Sequence, residues 1–345
     1  MTKRPTIRDV ASLAGVSLAT ASRALSGDYP VAAQTRAKVQ RAARELDYVV
    51  NAHARALSGA PAKFVALVVH SVQAPFFAYI AAGVEEQATL EDRLCLICTT
   101  HGSPERELEV VEAMREQRAE AVILVGGVVE SEEYTRRMRR YAQSLSESGT
   151  RLVLVGRPPL GPDVPALTVE YDNSGGAFAA ASHLLSAGHR KIAILAGEPG
   201  YTTSDQRLDG YRRAMAAYGI EPDPNLLLRG HLTRGAGIQM TRELLVSQKD
   251  FTAILAASDA VASGAYGALF EAGRSVPDDV SVVGFDDVPV AEDLRPALTT
   301  VHLPHEELGR TAVRHALQRS EQTKQHVVLG THVVVRGSVA PRTTA

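Results

Sequence analysis

The sequence has no tryptophan, five methionines and only two cysteines in 345 residues, and aromatic side chains make up 5% of it. With so little sulfur, an ordinary packed core must hold the chain, and at 45% hydrophobic residues one is available. Cys95 and Cys98 stand in "RLCLICTT" at the C-x-x-C spacing of redox and metal motifs. The run alternates and is apolar, which predicts a buried strand. Residues i and i+3 of a strand point to opposite faces, so the two thiols are expected buried, reduced and unable to share a metal. No apolar run reaches bilayer-spanning length, and "MTKRPTIRDV" has no secretory h-region. A soluble, cytoplasmic protein is expected. Walker A, G-x-S-x-G and H-E-x-x-H motifs are missing, as are low-complexity tracts and short repeats, so no cofactor, metal or catalytic set is expected.

Charge is present but uneven. Residues 1–60 hold nine Lys and Arg against four Asp and Glu, a net +5, so the other 285 residues hold −7 of the total −2. A small basic head on an acidic body implies a polyanionic partner for the head; a solvated helical face is the alternative.

Residues 6–47 read as three short helices. Thr6 with Asp9 resembles a capping box opening "IRDVASLA", which Gly15 stops. Ser17 is an N-cap for "LATASRAL", and Gly27 ends that helix. A third helix runs from Thr35 to Asp47. Two helices joined by a tight Gly-containing turn make a helix-turn-helix, with Ile7, Val10, Ala11, Ala14, Val16, Ala21 and Leu25 as its core. Residues 48–61 form a linker, in which Asn51 caps a short helix through Leu57. From Lys63 strands and helices alternate. The strands are "FVALVVH", "LCLICT", "AVILVG", "RLVLVG", "KIAILAG", "TAILAAS" and "VSVVGF"; later helices are expected at Ser174–Ala187, Asp205–Tyr218 and Ala260–Ala272. The fold class is therefore α/β: an all-α headpiece plus two doubly wound parallel-sheet lobes, with a ligand crevice beyond the carboxyl ends of the strands.

On the second helix Ala21 and Leu25 face inward, leaving Leu18, Ala19, Ser22 and Arg23 outward. Arg23 is suited to a bidentate contact with guanine, and Leu18 and Ala19 to a thymine methyl or the groove floor. Ser17 and Thr20, with backbone N–H groups, are suited to phosphates, and Thr6 joins this DNA-facing set. A capped structural helix in a small bundle is the alternative.

The stretch "TIRDVASLAGVSLATASRALSG" with "TRAKVQRAARELDYVVNAHARALSG" resembles the headpiece of the LacI/GalR family of transcription regulators. "LLSAGHRKIAILAG", "RLDGYRRAM", "VPDDVSVVGFDDV" and "RPALTTVHLP" extend the resemblance over nearly the whole chain. It implies a homodimer whose recognition helices read an inverted repeat in operator DNA. By position Leu18 and Ala19 match the variable base-contact pair and Arg23 a base-contacting arginine. Asn51 to Leu57, with Arg55 inside it, matches a hinge helix that folds on the operator, Leu57 being the wedge. Val50 stands where the family commonly has Pro. The implied domains are 1–48 for DNA, 49–61 for the hinge and linker, and 62–345 for effector binding and dimerisation. The last divides into lobes of about 62–160 with 293–325 and about 161–292 with 326–340.

The resemblance also implies a body like periplasmic sugar-binding proteins, with an effector between the lobes that controls operator affinity. Phe76 and Phe77 are candidates to stack on a ring, core packing being the alternative. Arg207 matches an arginine that binds ligand hydroxyls or carboxylate, and Tyr201 and Thr203 share its loop. Asp286 matches a pocket acid, whereas Asp287 reads as a turn residue. Ser258 and Asp259 end "AILAAS", Asp259 being expected to cap the next helix. His70 ends the first strand near the crevice. Leu232 stands where an aromatic often stacks on the ligand, and Gly156 precedes Arg157 where an acid is common. These departures point to a ligand different from, or bulkier than, the usual sugar. The expected function is a repressor with a sugar effector. A nucleobase or other metabolite is the alternative within the fold. A binding protein or α/β enzyme with a non-DNA N-terminal module is the alternative from another class.

Overall fold

The computed structural model describes residues 5–26, 30–48, 63–318 and 325–342. The chain divides into two units, Met1–Ala62 and Lys63–Ala345.

The first unit holds α1 (Ile7–Ala14), α2 (Leu18–Ser26) and α3 (Ala33–Glu45). The Thr6 backbone N–H and hydroxyl both donate to Asp9 Oδ2 at 2.7 Å, closing the start of α1. Gly15 ends it in the left-handed region at φ 65°, and its N–H reaches back to the carbonyls of Ala11 and Ser12. The Thr20 N–H donates to Ser17 Oγ at 3.1 Å, capping α2. Val10, Ala11, Ala21, Ala24, Val39, Ala42 and Ala43 form the core, with Ile7, Ala14, Val16 and Leu25 packed on its edge. The third helix starts two residues before the expected Thr35.

The second unit runs β1 (Phe64–Val69), α4 (Pro75–Leu90), β2 (Leu94–Thr99), α5 (Pro104–Glu116), β3 (Ala121–Val125), α6 (Glu132–Glu147), β4 (Arg151–Val155), β5 (Ala166–Tyr171) and α7 (Asn173–Ser186). It continues with β6 (Ile192–Ala196), α8 (Thr202–Ala217), β7 (Leu227–Arg229), α9 (Arg234–Val246), β8 (Ala253–Ala256), α10 (Asp259–Glu271) and β9 (Ser281–Asp286). The last elements are α11 (Val290–Asp293), β10 (Thr299–His302), α12 (His305–Leu317), β11 (His326–Leu329) and β12 (His332–Val334). They build two six-stranded sheets, ordered β11-β5-β4-β3-β1-β2 and β12-β10-β9-β8-β6-β7. The pairs are parallel except β10 with β12. Central strands such as β1 and β3 are buried almost throughout, which is why they read as continuous apolar runs.

Pairing corrects the expected lobe limits. β5, within residues 161–292, belongs to the first sheet beside β4. β10, within 293–325, belongs to the second sheet beside β9. β11, within 326–340, returns to the first beside β5. The chain thus crosses between lobes after Tyr171, after His302 and after Leu329. Buried Thr168 and half-buried Glu170 break the apolar signal of β5, which hid the first crossing. β2 is also corrected. It is an edge strand, with Leu94, Leu96 and Ile97 exposed and the free thiols of Cys95 and Cys98 partly buried.

Helices α4 and α12 touch through glycine on both sides. A Cβ at Gly83 would lie 2.0 Å from the Glu306 carbonyl oxygen, and one at Gly309 would lie 2.3 Å from that of Ile80. Gly83→Ala is therefore expected to lose about 1–3 kcal/mol of stability through overpacking, read from the denaturant midpoint. No helix among the described residues is long and apolar enough to cross a membrane.

Candidate nucleic-acid interface and ligand crevice

The outward face of α2 is the one the spacing predicts. Ala21 and Ala24 are fully buried, while Leu18, Ala19, Ser22 and Arg23 are exposed and Thr20 is half-buried. Leu18 exposes 44% of its surface, a large fraction for a leucine in so small a bundle. Small neighbours at positions 19 and 22 leave the helix narrow, so its backbone is able to approach a surface closely. Thr6 and Ser17 are occupied as caps, although a capping hydroxyl retains acceptor and donor capacity. Asn51, Arg55 and Leu57 lie outside the described residues.

In the second unit the carboxyl ends of the strands carry a buried ionic centre. Arg207, in the second turn of α8, is 5% exposed. Its Nε donates to Asn173 Oδ1 at 2.9 Å, Nη1 to the Ala257 carbonyl, and Nη2 to Asp286 Oδ1 at 3.3 Å. Its guanidinium carbon lies 3.8 Å from the centre of the Phe285 ring. Asp286 sits at φ 112°, outside the region that residues with side chains favour, at a cost of order 1–3 kcal/mol. Burial raises the Asp286 carboxyl to about 6, and the attraction and hydrogen bond of Arg207 restrain the rise. This carboxylate therefore changes charge near neutrality.

From the other lobe, the first turn of α4 presents two half-buried rings. Phe76 meets Tyr171 edge-on at 6.1 Å and Phe77 at 5.1 Å. Phe77 stacks with exposed His70 at 6.4 Å and 15°. On one side the lobes touch directly: the Thr202 N–H donates to the Val128 carbonyl at 2.9 Å, and Tyr201 bridges Val129. Thr203 packs on Gly127, so Tyr201 and Thr203 belong to this seam. Leu232, 39% exposed, lies beside Gly197.

Two expected contacts are placed elsewhere. Arg157 is 6% exposed and donates to Glu107 Oε2 at 2.7 Å, with Met138 of α6 beside it; its charge is matched by Glu107 of α5. Asp259 is fully buried and accepts from Thr300 Oγ1 at 2.6 Å and the Val288 N–H at 2.9 Å, tying α10 to β10 and the β9 loop. It does not cap α10. Ser258 does, accepting from the Val261 N–H at 3.2 Å.

Tyr171, Asn173 and Phe285 belong to the centre and were not foreseen. Asn173 holds Arg207 from the first turn of α7 while its Nδ2 donates to Gln206 Oε1 at 2.9 Å. The signal for it is "EYDNSGG": an Asp172 cap directly after a strand, legible only once β5 is recognised. Among the described residues no group of three or more His, Cys, Asp or Glu is placed to hold a metal.

Residues 6–51 match the family described as bacterial regulatory proteins, lacI family, and residues 181–339 match the periplasmic binding protein-like domain. The chain is 37% identical over 344 residues to the transcriptional regulator CelR of Thermobifida fusca, covering 97% of this chain and 98% of that one. It belongs to the lacI family. As a lacI-family protein it is a DNA-binding transcription regulator. A structure of a CelR–cellobiose complex superposes with TM-score 0.71 at 35% identity, covering 97% of this chain and all of that one. The lac repressor dimer bound to operator superposes with TM-score 0.83 at 26% identity, covering 98% and 100%.

Proposed function

We propose that this lacI-family regulator is a cytoplasmic homodimeric repressor without catalytic activity. Its affinity for an inverted-repeat operator is set by a sugar bound between the lobes. The observation that carries the sensor reading is the Arg207–Asp286 pair, buried at the strand ends with its polar atoms directed by Asn173 and Ala257. A guanidinium and a carboxylate side by side supply donors and acceptors to adjacent sugar hydroxyls, while Phe76 and Phe77 cover an apolar ring face. The CelR–cellobiose complex supports the sugar class. Aliphatic, half-exposed Leu232 leaves room for a ligand larger than one ring. Leu18, Ala19, Ser22 and Arg23 are assigned to base edges, Thr6, Ser17 and Thr20 to phosphates, and Asn51, Arg55 and Leu57 to the hinge.

A thermal-shift screen of mono- and disaccharides, cellobiose included, tests the reading. A sugar at 100-fold excess over its Kd is expected to stabilise by about 2.7 kcal/mol and to change operator affinity. A screen in which nucleobases shift the melting temperature and no sugar does would overturn it.

The Asp286 carboxyl sets a pH dependence. Its ionised form accepts two hydroxyls, so sugar affinity is expected to rise with pH through about 6 and level off above 7. Stability of the free protein moves the other way: a carboxyl raised in the folded state contributes at low pH and loses that contribution as pH passes about 6. Calorimetric titrations at pH 5 to 8 check this, and Asp286→Asn is expected to remove the inflection.

A further inference from the structure

The chain crosses between the lobes at three places, and the crossings are tied to one another. At the first, the Asp172 N–H donates to the Leu329 carbonyl at 3.2 Å, and the Asp172 carbonyl accepts from Thr331 Oγ1 at 3.1 Å. Leu329 and Thr331 belong to the third crossing. The second and third are joined by a pair of histidines. His302 is the last residue of β10 and His332 the first of β12, and they oppose each other as the final rung of that antiparallel ladder. Residues opposed in a ladder lie on the same face of the sheet. The two rings lie 4.9 Å apart between centres, tilted by 39°. His332 is exposed and His302 half-buried, so water reaches both.

The charges around the pair are uneven. His302 Nδ1 donates to Asp287 Oδ2 at 2.9 Å, so the next proton is taken up at Nε2. The other oxygen of Asp287 meets Arg336 at 2.8 Å, and Arg336 also meets Glu292 of α11 at 3.1 Å. From α12, His305, Glu306, Glu307 and Arg310 line the cavity that His302 also lines. Glu306 and Glu307 are engaged by Arg310. Burial first, and then His302 and Arg207, hold the His305 imidazole down to about 4 against the pull of Asp287, so it stays neutral in the range where histidines ordinarily titrate. Among the described residues Asp287 is the one carboxylate hydrogen-bonded to the pair, and it is shared with Arg336. It compensates one added proton and not two. Like charges directly opposed in a ladder are destabilising, so a second proton sets two imidazolium rings against each other.

We propose that the His302–His332 rung is a proton-sensitive joint of the lobe hinge. It is closed while the pair carries at most one added proton and opens when both rings are charged. Opening it leaves Thr300 paired with Val334 and Val301 with Val333. It adds one free residue to each side of the second and third crossings and so loosens one lobe against the other. The open joint binds more protons than the closed one, so falling pH favours it. A ligand that prefers one lobe arrangement is linked to this uptake, whichever ligand the crevice takes. The joint is separate from the crevice carboxyl of Asp286, which pairs with Arg207.

Nuclear magnetic resonance of the intact protein, without sugar or DNA, tests this from pH 8 down to pH 5.5. The imidazole signals of His302 and His332 are followed together with the methyl signals of Leu303 and Thr331 on the two crossings. The rings are expected to titrate in two coupled steps, and the methyl signals to move with the second. His332→Gln and His302→Gln each leave a single ring, and at position 302 glutamine keeps an amide donor for Asp287. In each variant the surviving ring is expected to titrate in one step, and most of the methyl displacement to be lost. Asp286 is present in all three proteins, so its own titration does not produce that loss. Independent titration of the two rings, or a methyl displacement that survives both substitutions, would overturn the proposal.

Discussion

Arg207→Ala is expected to lower folding stability by about 3–5 kcal/mol at pH 8, by less at pH 5, and to abolish the response of operator affinity to the effector. The guanidinium is the only cation hydrogen-bonded to Asp286 among the described residues, and both side chains are nearly inaccessible to water. Removing it leaves a buried carboxylate without compensation and frees Asn173 Oδ1 and the Ala257 carbonyl as unmatched acceptors. The carboxyl, already raised to about 6, rises further, so the deficit grows as pH increases and shrinks where the group is protonated. Pairing the change with Asp286→Asn is expected to restore much of the stability but none of the effector response. Urea melts of the two variants across pH 5 to 8 check the first part, and operator titrations with and without effector check the second. A single variant as stable as the parent at pH 8 would remove the ionic centre from this account.

The second large effect belongs to the headpiece. Arg23→Ala is expected to cost about 1–3 kcal/mol per half-site, hence roughly 30- to 10⁴-fold in affinity for a two-half-site operator. Leu18, Ala19 and Ser22 offer at most one hydroxyl between them, so Arg23 carries the polar discrimination that α2 is able to make. Affinity for random DNA, which rests on phosphate contacts, is expected to fall much less. Mobility shifts on the preferred site and on scrambled DNA measure both. Parallel losses on the two would assign Arg23 to the phosphates.

The headpiece was legible in the sequence because its controls are local. Thr6 with Asp9, Gly15 and Ser17 are caps whose partners lie within four residues, and the structure shows each of them made. The central strands were legible because burial on both faces leaves an unbroken apolar run. β5, β10 and β11 were not, since polar residues within them are satisfied by long-range pairing that periodicity does not encode. The same limit applies to the crevice. The family resemblance, with position in or after a loop beyond a strand, singled out Arg207 and Asp286. It also singled out Arg157 and Asp259, which turn to partners 50 and 41 residues away. Only the fold shows which partner each of these buried charges is paired with.

Selection of bound sequences from a random DNA library by the purified protein reads out whether this chain recognises an inverted repeat. Enrichment of one imperfect inverted repeat is expected, with affinity falling steeply as salt rises and with specificity at one position of each half-site lost in Arg23→Ala. A library that emerges without any enriched repeat, while the protein remains folded, would contradict it.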